Sequence, residues 1–345
     1  MIGRSFLATA LIALAAGPPG AGAAGSPGDA RVDGPFTHRN LSIYVVSGKA
    51  ADGRRFVTLD EGLRTGKVAV REQGAGSGAD RSQVNQLEVE NTSDQWLYLQ
   101  AGDVVTGGKQ DRTIATDVAI PPHSAPQPIA AFCVEHGRWT AKAASGMAFA
   151  GSPAIVGSNE LKKSIQEDKN QQKVWAEVAR QDSRAAAQVT VSGEAPAATL
   201  SSTGTYRAIV ENPRIGASRE EYVKALLPRV EKTADAVGLV VAINGRITAA
   251  DVYGSPELFR KLARKLLESY AQEAALAGES AQAAPTVGAA RAFLRDLPAS
   301  HAEEKVGDSV YRTTRKSEGA VVFEYGQETG ETSSRTLLHR NYVRN

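Results

Sequence analysis

The sequence predicts an α+β fold, with an antiparallel β-rich N-terminal half, sandwich or barrel-like, packed against a helix-rich C-terminal half. Between residues 41 and 139, seven short runs rich in β-branched and aromatic residues are each closed by Gly, Pro, Asn, Asp or Ser, the pattern of strands joined by turns. After residue 158 the apolar spacing becomes helical. We therefore expect one large unit over residues 41–345, β-rich over 41–140 and mixed α/β over 150–345.

The strands expected in the first half follow one another at short intervals, and each shows the period-two alternation of a half-buried strand. In chain order they are LSIYVVSG, RFVTLDEGL, KVAVREQG, NQLEVENTS, WLYLQAGDVV, TIATDVAIP and QPIAAFCVE. This many short strands in about a hundred residues is typical of an antiparallel sandwich or barrel.

Two amphipathic helices open the second half. Ser158 has the position of an N-cap for SNELKKSIQEDKNQQKVWAEVAR, and Ser218 with Glu221 forms the pattern of a capping box for SREEYVKALLPRV. These signals predict helices that begin at residues 159 and 219.

A hairpin and a long helix follow. VGLVVAING and RITAADVYG meet at Asn244-Gly245, which is a strong signal for a two-residue hairpin turn. Ser255 and Pro256 then start the helix SPELFRKLARKLLESYAQEA, because Ser caps helices and Pro favours their first turn. The tail SVYRTTRKSEGAVVFEYG returns to strand character.

The first 23 residues have the pattern of a secretory signal peptide. Arg4 precedes the apolar run FLATALIALAA, which is too short to span a bilayer, and residues 21–23 form an A-x-A cleavage pattern. We expect cleavage near Ala23, a flexible segment over residues 24–40, and a periplasmic or extracellular mature protein.

Composition limits the classes of partner. The chain has 40 Lys and Arg against 38 Asp and Glu, which argues against a nucleic-acid or membrane-surface protein. The partner that we expect is a small-molecule ligand. Five scattered histidines lack metal-binding spacing, and the single cysteine, Cys133, excludes both an internal disulfide and a cysteine zinc site. We predict no metal and no cofactor, and the oligomeric state cannot be deduced from the sequence.

The stretch TGGKQDR resembles a phosphate-binding loop only superficially. In the pattern G-x-x-x-x-G-K-[ST], the lysine position is occupied by Gly108, and Gln110 replaces the hydroxyl residue that holds magnesium. We predict a β-turn with Gly107 and Gly108 at positive φ. Such a turn presents a polar cluster, Lys109, Gln110, Asp111 and Arg112, at a strand end; this cluster is either a solvated loop or a site.

The segment IAAFCVEHGRWTA is the second dense stretch. In a strand, Ile129, Ala131, Cys133 and Glu135 share one face, while Phe132, Val134 and His136 share the other. We expect Cys133 to be a buried, inert thiol, since a carboxylate two residues away disfavours a thiolate. Glu135 ends an apolar strand and needs a partner such as Arg138 or Arg112, either as a structural salt bridge or as part of a site.

Three motifs together resemble a known family. GGKQDR, the C-V-E-x-x-R-W segment and the I-N-G turn followed by D-x-Y-x-S-P-E-L-F make the chain similar, from about residue 41 to 270, to the ADP-ribosylglycohydrolase- and rhodanese-phosphatase-associated protein domain. The resemblance implies an α+β domain, and the family's genomic neighbours imply a link to ADP-ribose metabolism.

Three hypotheses on function follow. The leading one is a binding module that holds a small polar or anionic ligand through one polar cluster: Lys109, Gln110, Arg112, Glu135, Arg138 and Trp139. The alternative is a metal-independent hydrolase acting on ADP-ribose-like or nucleotide-derived substrates, with Glu135 or Asp111 as general base and Arg112 stabilising negative charge. The third is an envelope protein that uses its surface for partner contact.

Overall fold

The computed structural model describes residues 30–73, 85–137, 148–191, 199–280, 282–328 and 335–345. These residues form helices and strands in the α+β arrangement expected from the sequence, which is thereby confirmed. The strands are β1 (Arg31–His38), β2 (Leu41–Ser47), β3 (Phe56–Thr58), β4 (Val68–Glu72), β5 (Gln86–Asn91), β6 (Trp96–Leu99), β7 (Asp103–Gly107), β8 (Arg112–Ile114), β9 (Val118–Ile120), β10 (Ser124–Cys133), β11 (Phe149–Val156), β12 (Ala236–Ile243), β13 (Arg246–Tyr253), β14 (His301–Lys305), β15 (Val310–Lys316), β16 (Ala320–Glu328) and β17 (Arg335–Arg344). The helices are α1 (Leu59–Arg64), α2 (Asn159–Lys163), α3 (Gln171–Val191), α4 (Tyr206–Glu211), α5 (Pro213–Glu231), α6 (Pro256–Ala277) and α7 (Val287–Arg295), with a π-helical turn (Ser164–Asp168) between α2 and α3.

An antiparallel sheet of eight strands, in the order β1-β2-β12-β13-β17-β16-β15-β14, carries most of the second half. The predicted hairpin joins β12 and β13, and Asn244 and Gly245 have φ values of +49° and +71°, as this turn type requires. Strand β12 is buried along its whole length, because α5 and α6 cover one face of the sheet and α7 the other.

The segment expected to be flexible, residues 24–40, needs a correction over its described part. Residues 31–38 form β1, which pairs antiparallel with β2 at the edge of the eight-stranded sheet. The alternation there is interrupted at Gly34-Pro35, where the register of β1 shifts against β2, and this interruption hides the strand in the sequence. The expected signal peptide lies outside the described residues.

The β-rich first half forms the barrel-like part of the fold. A six-stranded sheet, ordered β11-β7-β8-β10-β5-β4, encloses a separate apolar core together with the three-stranded sheet β3-β6-β9. The expected alternation holds in β10 and the residue that follows it. Ile129 and Ala131 enter this core, whereas Phe132 and Val134 pack on the opposite side against α2, α3 and α4.

Helix boundaries agree with some of the predicted caps and differ from others. Ser158 and Ser255 cap α2 and α6 as expected, each accepting a hydrogen bond from the backbone N–H three residues later. The capping box predicted at Ser218 is wrong, because Asn212 caps α5 and Pro213 occupies its first position. The helix predicted from residue 159 is interrupted after the π-helical turn, where Lys169 adopts a left-handed φ of +49°.

A buried polar network joins the two halves. The imidazole of His339 lies between two carboxylates, with Nδ1 2.8 Å from Asp117 Oδ2 and Nε2 2.9 Å from Asp251 Oδ1. Burial alone would lower the pKa of His339, but Asp117 and Asp251 raise it above its usual value, which favours the protonated form of the ring. Its face stacks on Tyr253 with the ring centroids 4.3 Å apart.

Candidate functional site

The GGKQDR stretch forms a tight turn between β7 and β8. Gly107 and Gly108 have φ values of +132° and +48°. A Cβ atom on Gly108 would lie 2.4 Å from Cζ of Phe149, so a larger residue would have no room. The predicted turn, with both glycines at positive φ, is confirmed.

The backbone N–H groups of this turn are used inside the protein. Gly107 N–H donates to Asp111 Oδ1 at 3.0 Å, and Lys109 N–H donates to Glu72 Oε1 at 3.0 Å. The N–H group between them donates to a backbone carbonyl oxygen 3.3 Å away. A phosphate loop needs such groups to face its ligand, so the turn lacks the mechanism of a nucleotide-binding loop.

Two buried carboxylates hold the turn in place. Asp111 is 0% exposed; its Oδ1 binds the Gly107 N–H, and its Oδ2 accepts a hydrogen bond from Thr205 Oγ1 at 3.1 Å and lies 3.7 Å from Arg207 Nε. Glu135 is 3% exposed, and its Oε2 accepts a hydrogen bond from the Asp111 N–H at 3.2 Å. The two proposed general bases therefore connect the turn to the start of α4.

Arg112 forms a buried ion pair with a glutamate that was not expected from the sequence. Its Nη2 lies 3.4 Å from both carboxylate oxygens of Glu72, and both side chains are almost completely buried. Its Nη1 donates to Gln110 Oε1 at 3.2 Å and to Cys133 Sγ at 2.7 Å. We call these six residues the turn cluster: Glu72, Gln110, Asp111, Arg112, Cys133 and Glu135.

Cys133 is fully buried, as expected. Burial raises the pKa of its thiol to about 11; Arg112 opposes this effect, and Glu72 adds to it. Arg112 is a cationic neighbour of the kind that activates a thiol, but burial outweighs it, and the group is a neutral thiol at physiological pH.

The remaining predicted site residues that the structure describes differ from one another in burial. Gln110 is buried and its amide nitrogen lies 3.4 Å from the carbonyl oxygen of His136. Lys109 is partly exposed and is the most accessible residue of the predicted group within the described part of the chain. Arg138 and Trp139 lie outside the described residues.

A cleft of about 720 Å³ opens beside the turn, between α1, α6 and β11; we call it the α1–α6 cleft. The pairing of β11 with β7 puts Phe149 opposite Gly107 and Ala150 opposite Thr106, so one wall of the cleft is attached directly to the turn. The cleft is lined by Thr58, Asp60, Glu61, Leu63, Arg64, Phe149, Ala150, Lys261, Arg264, Lys265 and Glu268.

A buried lysine forms part of the cleft lining. Lys265 is 5% exposed, and its Nζ lies 2.8 Å from Asp60 Oδ2 and 2.8 Å from Asp103 Oδ1. Burial alone would lower the pKa of Lys265, but Asp103 and Asp60 raise it above its usual value. Burial also raises the pKa of Asp60, whose Oδ1 is buried and has no hydrogen-bond partner in the described structure.

Two signals in the sequence point to this cleft, and the predicted site includes neither. Lys265 follows Leu258 by seven residues and Leu262 by three, so it lies on the apolar stripe of α6, where a lysine must be buried. Thr58 and Glu61 form a capping box that starts α1, in a segment where the sequence predicts a strand. Because α1 brings Asp60 to the cleft, missing this helix also concealed the aspartate.

Two negative findings apply to the described residues only. Among them, no group of three or more His, Cys, Asp or Glu side chains has the arrangement of a metal site. None of the helices in these parts of the chain combines the length and hydropathy needed to cross a membrane.

Comparisons with known proteins identify a family but no individual relative. Neither the curated proteins nor the solved structures contain a significant match. The family model for the ARG and Rhodanese-Phosphatase-superfamily-associated Protein domain matches residues 29–343, which is nearly the whole chain and includes the three motifs quoted above. The chain therefore belongs to the ARPP-1 family, the ARG and Rhodanese-Phosphatase-superfamily-associated Protein domain.

Proposed function

We propose that this protein is a binding module for a small polar or anionic ligand, which it holds in the α1–α6 cleft beside the turn cluster. One observation carries the proposal: a cleft of about 720 Å³ has a buried, charged lysine in its lining and a wall that is paired to the turn. That volume is within the range of small-molecule sites, which combine apolar walls with a few fixed polar groups.

The rim of the cleft adds positive charge. Arg64 is exposed and forms no ion pair within the described residues, while Lys261 lies 3.1 Å from Glu61 and Arg264 lies 2.8 Å from Glu268. Ion pairs of this partly exposed kind are weak, so an incoming anion competes for these cations at little cost. Lys265 is already paired with Asp60 and Asp103, so it is these rim cations that favour a ligand with at least one negative charge.

The turn cluster packs against β11, the strand that forms one wall of the cleft. Its glutamate Glu72 and the ring of Phe149 both approach Gly108 closely, so the cluster packs against the wall strand of the cleft. Buried charges of this kind are costly unless they are paired, and the cluster pairs Arg112 with Glu72. A rigid polar scaffold behind a binding wall keeps the geometry of that wall fixed.

Binding is favoured over hydrolysis because the two candidate bases are occupied. Both oxygens of Asp111 accept hydrogen bonds from within the protein, and Glu135 accepts the N–H of Asp111. A general base must be able to reach a proton of the substrate or of water, and neither carboxylate is exposed. Hydrolysis of ADP-ribose-like compounds is the alternative function, and the experiment must be able to detect it.

The test is a thermal-shift screen with phosphate, citrate, AMP and ADP-ribose as anionic probes and glucose as the neutral comparison. A ligand at about 100 times its Kd stabilises the protein by about 2.7 kcal/mol, which raises Tm by several degrees. We expect at least one anion to bind, and the double variant Lys261→Ala/Arg264→Ala to weaken that binding at least tenfold. Lys224→Ala, at an exposed position on α5, is the matched control and should bind normally.

Two results would contradict the proposal. If none of the anions raises Tm, the protein does not bind this class of ligand. If the double variant binds the anion as tightly as the wild type does, the ligand binds outside the α1–α6 cleft. Chromatography of the AMP and ADP-ribose incubations decides between binding and hydrolysis, since a hydrolase would release products.

We also propose that the mature protein is exported. The support is the arrangement of a basic residue, an apolar run of signal-peptide length and an A-x-A pattern within residues 1–23.

A further inference from the structure

A second cavity, of about 370 Å³, lies at the other end of α6, away from the α1–α6 cleft. It opens where the β12–β13 hairpin, the start of α2 and the C-terminal part of α6 meet; we call it the α2–α6 cavity. It is lined by Ser158, Asn159, Glu160, Gln181, Arg184, Ile243, Asn244, Arg246, Thr248, Glu273, Leu276, Ala277, Val343, Arg344 and Asn345. Its volume is sufficient for a molecule of amino-acid or dipeptide size.

Two lining residues, Asn159 and Arg344, each have a buried polar atom without a hydrogen-bond partner in the described structure, and Asn159 is the one that lies beside Glu273. Asn159 is 3% exposed, and its backbone N–H and side-chain Nδ2 donate to the two carboxyl oxygens of Glu273 at 2.9 and 3.0 Å. Its Oδ1 is buried and accepts no hydrogen bond in the described structure. Buried carbonyl oxygens are normally satisfied, so this acceptor indicates a donor that the ligand-free chain does not supply.

Glu273 has no ion-pair partner within the described residues. Two charged residues lie near it: Glu160, which has the same charge, and the cation Lys162, whose Nζ lies 3.6 Å from Asp251. Burial and Glu160 raise the pKa of Glu273 to about 8, so its carboxyl group is largely neutral near pH 7. A ligand ammonium group would favour the ionised form of Glu273 and would supply the donor for Asn159 Oδ1.

The rim of the α2–α6 cavity has positively charged side chains, in contrast to the acidic side chain of Glu273 inside it. Arg184 on α3 and Arg246 at the start of β13 are exposed lining residues. Arg184 forms no ion pair within the described residues, and Arg246 Nη2 donates to the backbone oxygen of Asn345 at 2.8 Å. Guanidinium groups bind carboxylates well, so the rim suits the negative end of a ligand whose positive end is inside.

We propose that the α2–α6 cavity binds a small zwitterion of amino-acid or dipeptide size, with its ammonium group between Glu273 and Asn159 and its carboxylate at Arg184 and Arg246. This site shares no residue with the α1–α6 cleft and is independent of the function proposed for that cleft.

The test is a thermal-shift screen of the twenty L-amino acids and of L-alanyl-L-alanine, followed by calorimetric titration of the best binder. N-acetylation of that compound removes the ammonium group and should abolish binding, whereas amidation of its carboxylate should weaken binding at least tenfold. Glu273→Gln keeps the shape of the neutral acid, is expected to fold, and should reduce affinity for the zwitterion at least tenfold. Glu318→Gln, an exposed control in the β15–β16 turn, should bind as the wild type does.

Arg184→Ala tests the rim separately. It should weaken binding of the zwitterion but leave binding of its amide unchanged, because the amide has no carboxylate to lose. The proposal is overturned if no member of the panel shifts Tm, if the N-acetyl compound binds equally well, or if Glu273→Gln binds with wild-type affinity.

Discussion

Replacing Glu273 by Gln should stabilise the ligand-free protein at alkaline pH. The pKa of an ordinary glutamate is 4.5, whereas burial and Glu160 raise the pKa of Glu273 to about 8. Between these values the unfolded chain is ionised while the native carboxyl retains its proton. The free energy of unfolding therefore falls as pH rises through this window, by about 1.4 kcal/mol for each pH unit, and levels off above pH 8.

The size of the stability difference follows from the rise in the pKa of Glu273. The difference between the two pKa values, 4.5 and about 8, corresponds to about 4 to 5 kcal/mol in the free energy of unfolding. Because water from the cavity partly reaches the carboxyl group, we reduce this figure to roughly 2 to 4 kcal/mol. Glutamine does not titrate and is close in shape to the neutral acid. We expect Glu273→Gln to match the wild type near pH 4.5 and to exceed its stability by roughly 2 to 4 kcal/mol at pH 8.

Urea denaturation at pH 5, 6.5 and 8 provides the measurement, with the exposed Glu318→Gln variant as control. The control should differ from the wild type by less than about 0.5 kcal/mol at each pH. If Glu273→Gln has the same pH dependence as the wild type, or is less stable than the wild type at pH 8, then Glu273 is not a buried neutral acid in the native protein.

Three other positions and the N-terminus give further expectations. Cys133→Ala should cost on the order of 1 kcal/mol, and native Cys133 should react with a thiol reagent only on unfolding; rapid labelling would contradict its burial. Glu135→Gln should destabilise by about 1 to 3 kcal/mol, because it weakens the bond to the Asp111 N–H, and unchanged denaturation would contradict this. The stability that imidazolium His339 contributes should be complete below pH 6.5 and decline as pH rises through its raised pKa; His339→Gln should lack that decline. Mass spectrometry of secreted protein should find a chain that begins near residue 24, and an intact Met1 would refute export.

Local signals predicted the elements whose geometry depends on a few neighbouring residues. The Asn244-Gly245 hairpin and the cap at Ser255 follow from turn and cap chemistry, which requires no information about distant residues. The alternation around Cys133 likewise assigned Ile129 and Ala131 to one face and Phe132 and Val134 to the other, as observed. In each case a short stretch determines the structure, because the constraint is local.

Long-range partners could not be deduced in the same way. Glu72 and Arg112 are 40 residues apart, and nothing in either stretch identifies the other as its counter-ion. The α2–α6 cavity is also invisible in the sequence, because Asn159 and Glu273 meet only after α2 packs on α6. Pairings of this kind depend on tertiary packing, which spacing along the chain does not encode.

A crystal structure of the protein soaked with the tightest-binding anion of the screen would test the proposed function most directly. We expect the ligand to contact Lys261 or Arg264 on the rim of the α1–α6 cleft, next to the side chain of Lys265. Ligand density at another surface, or a soaked crystal in which the cleft contains only water, would contradict it.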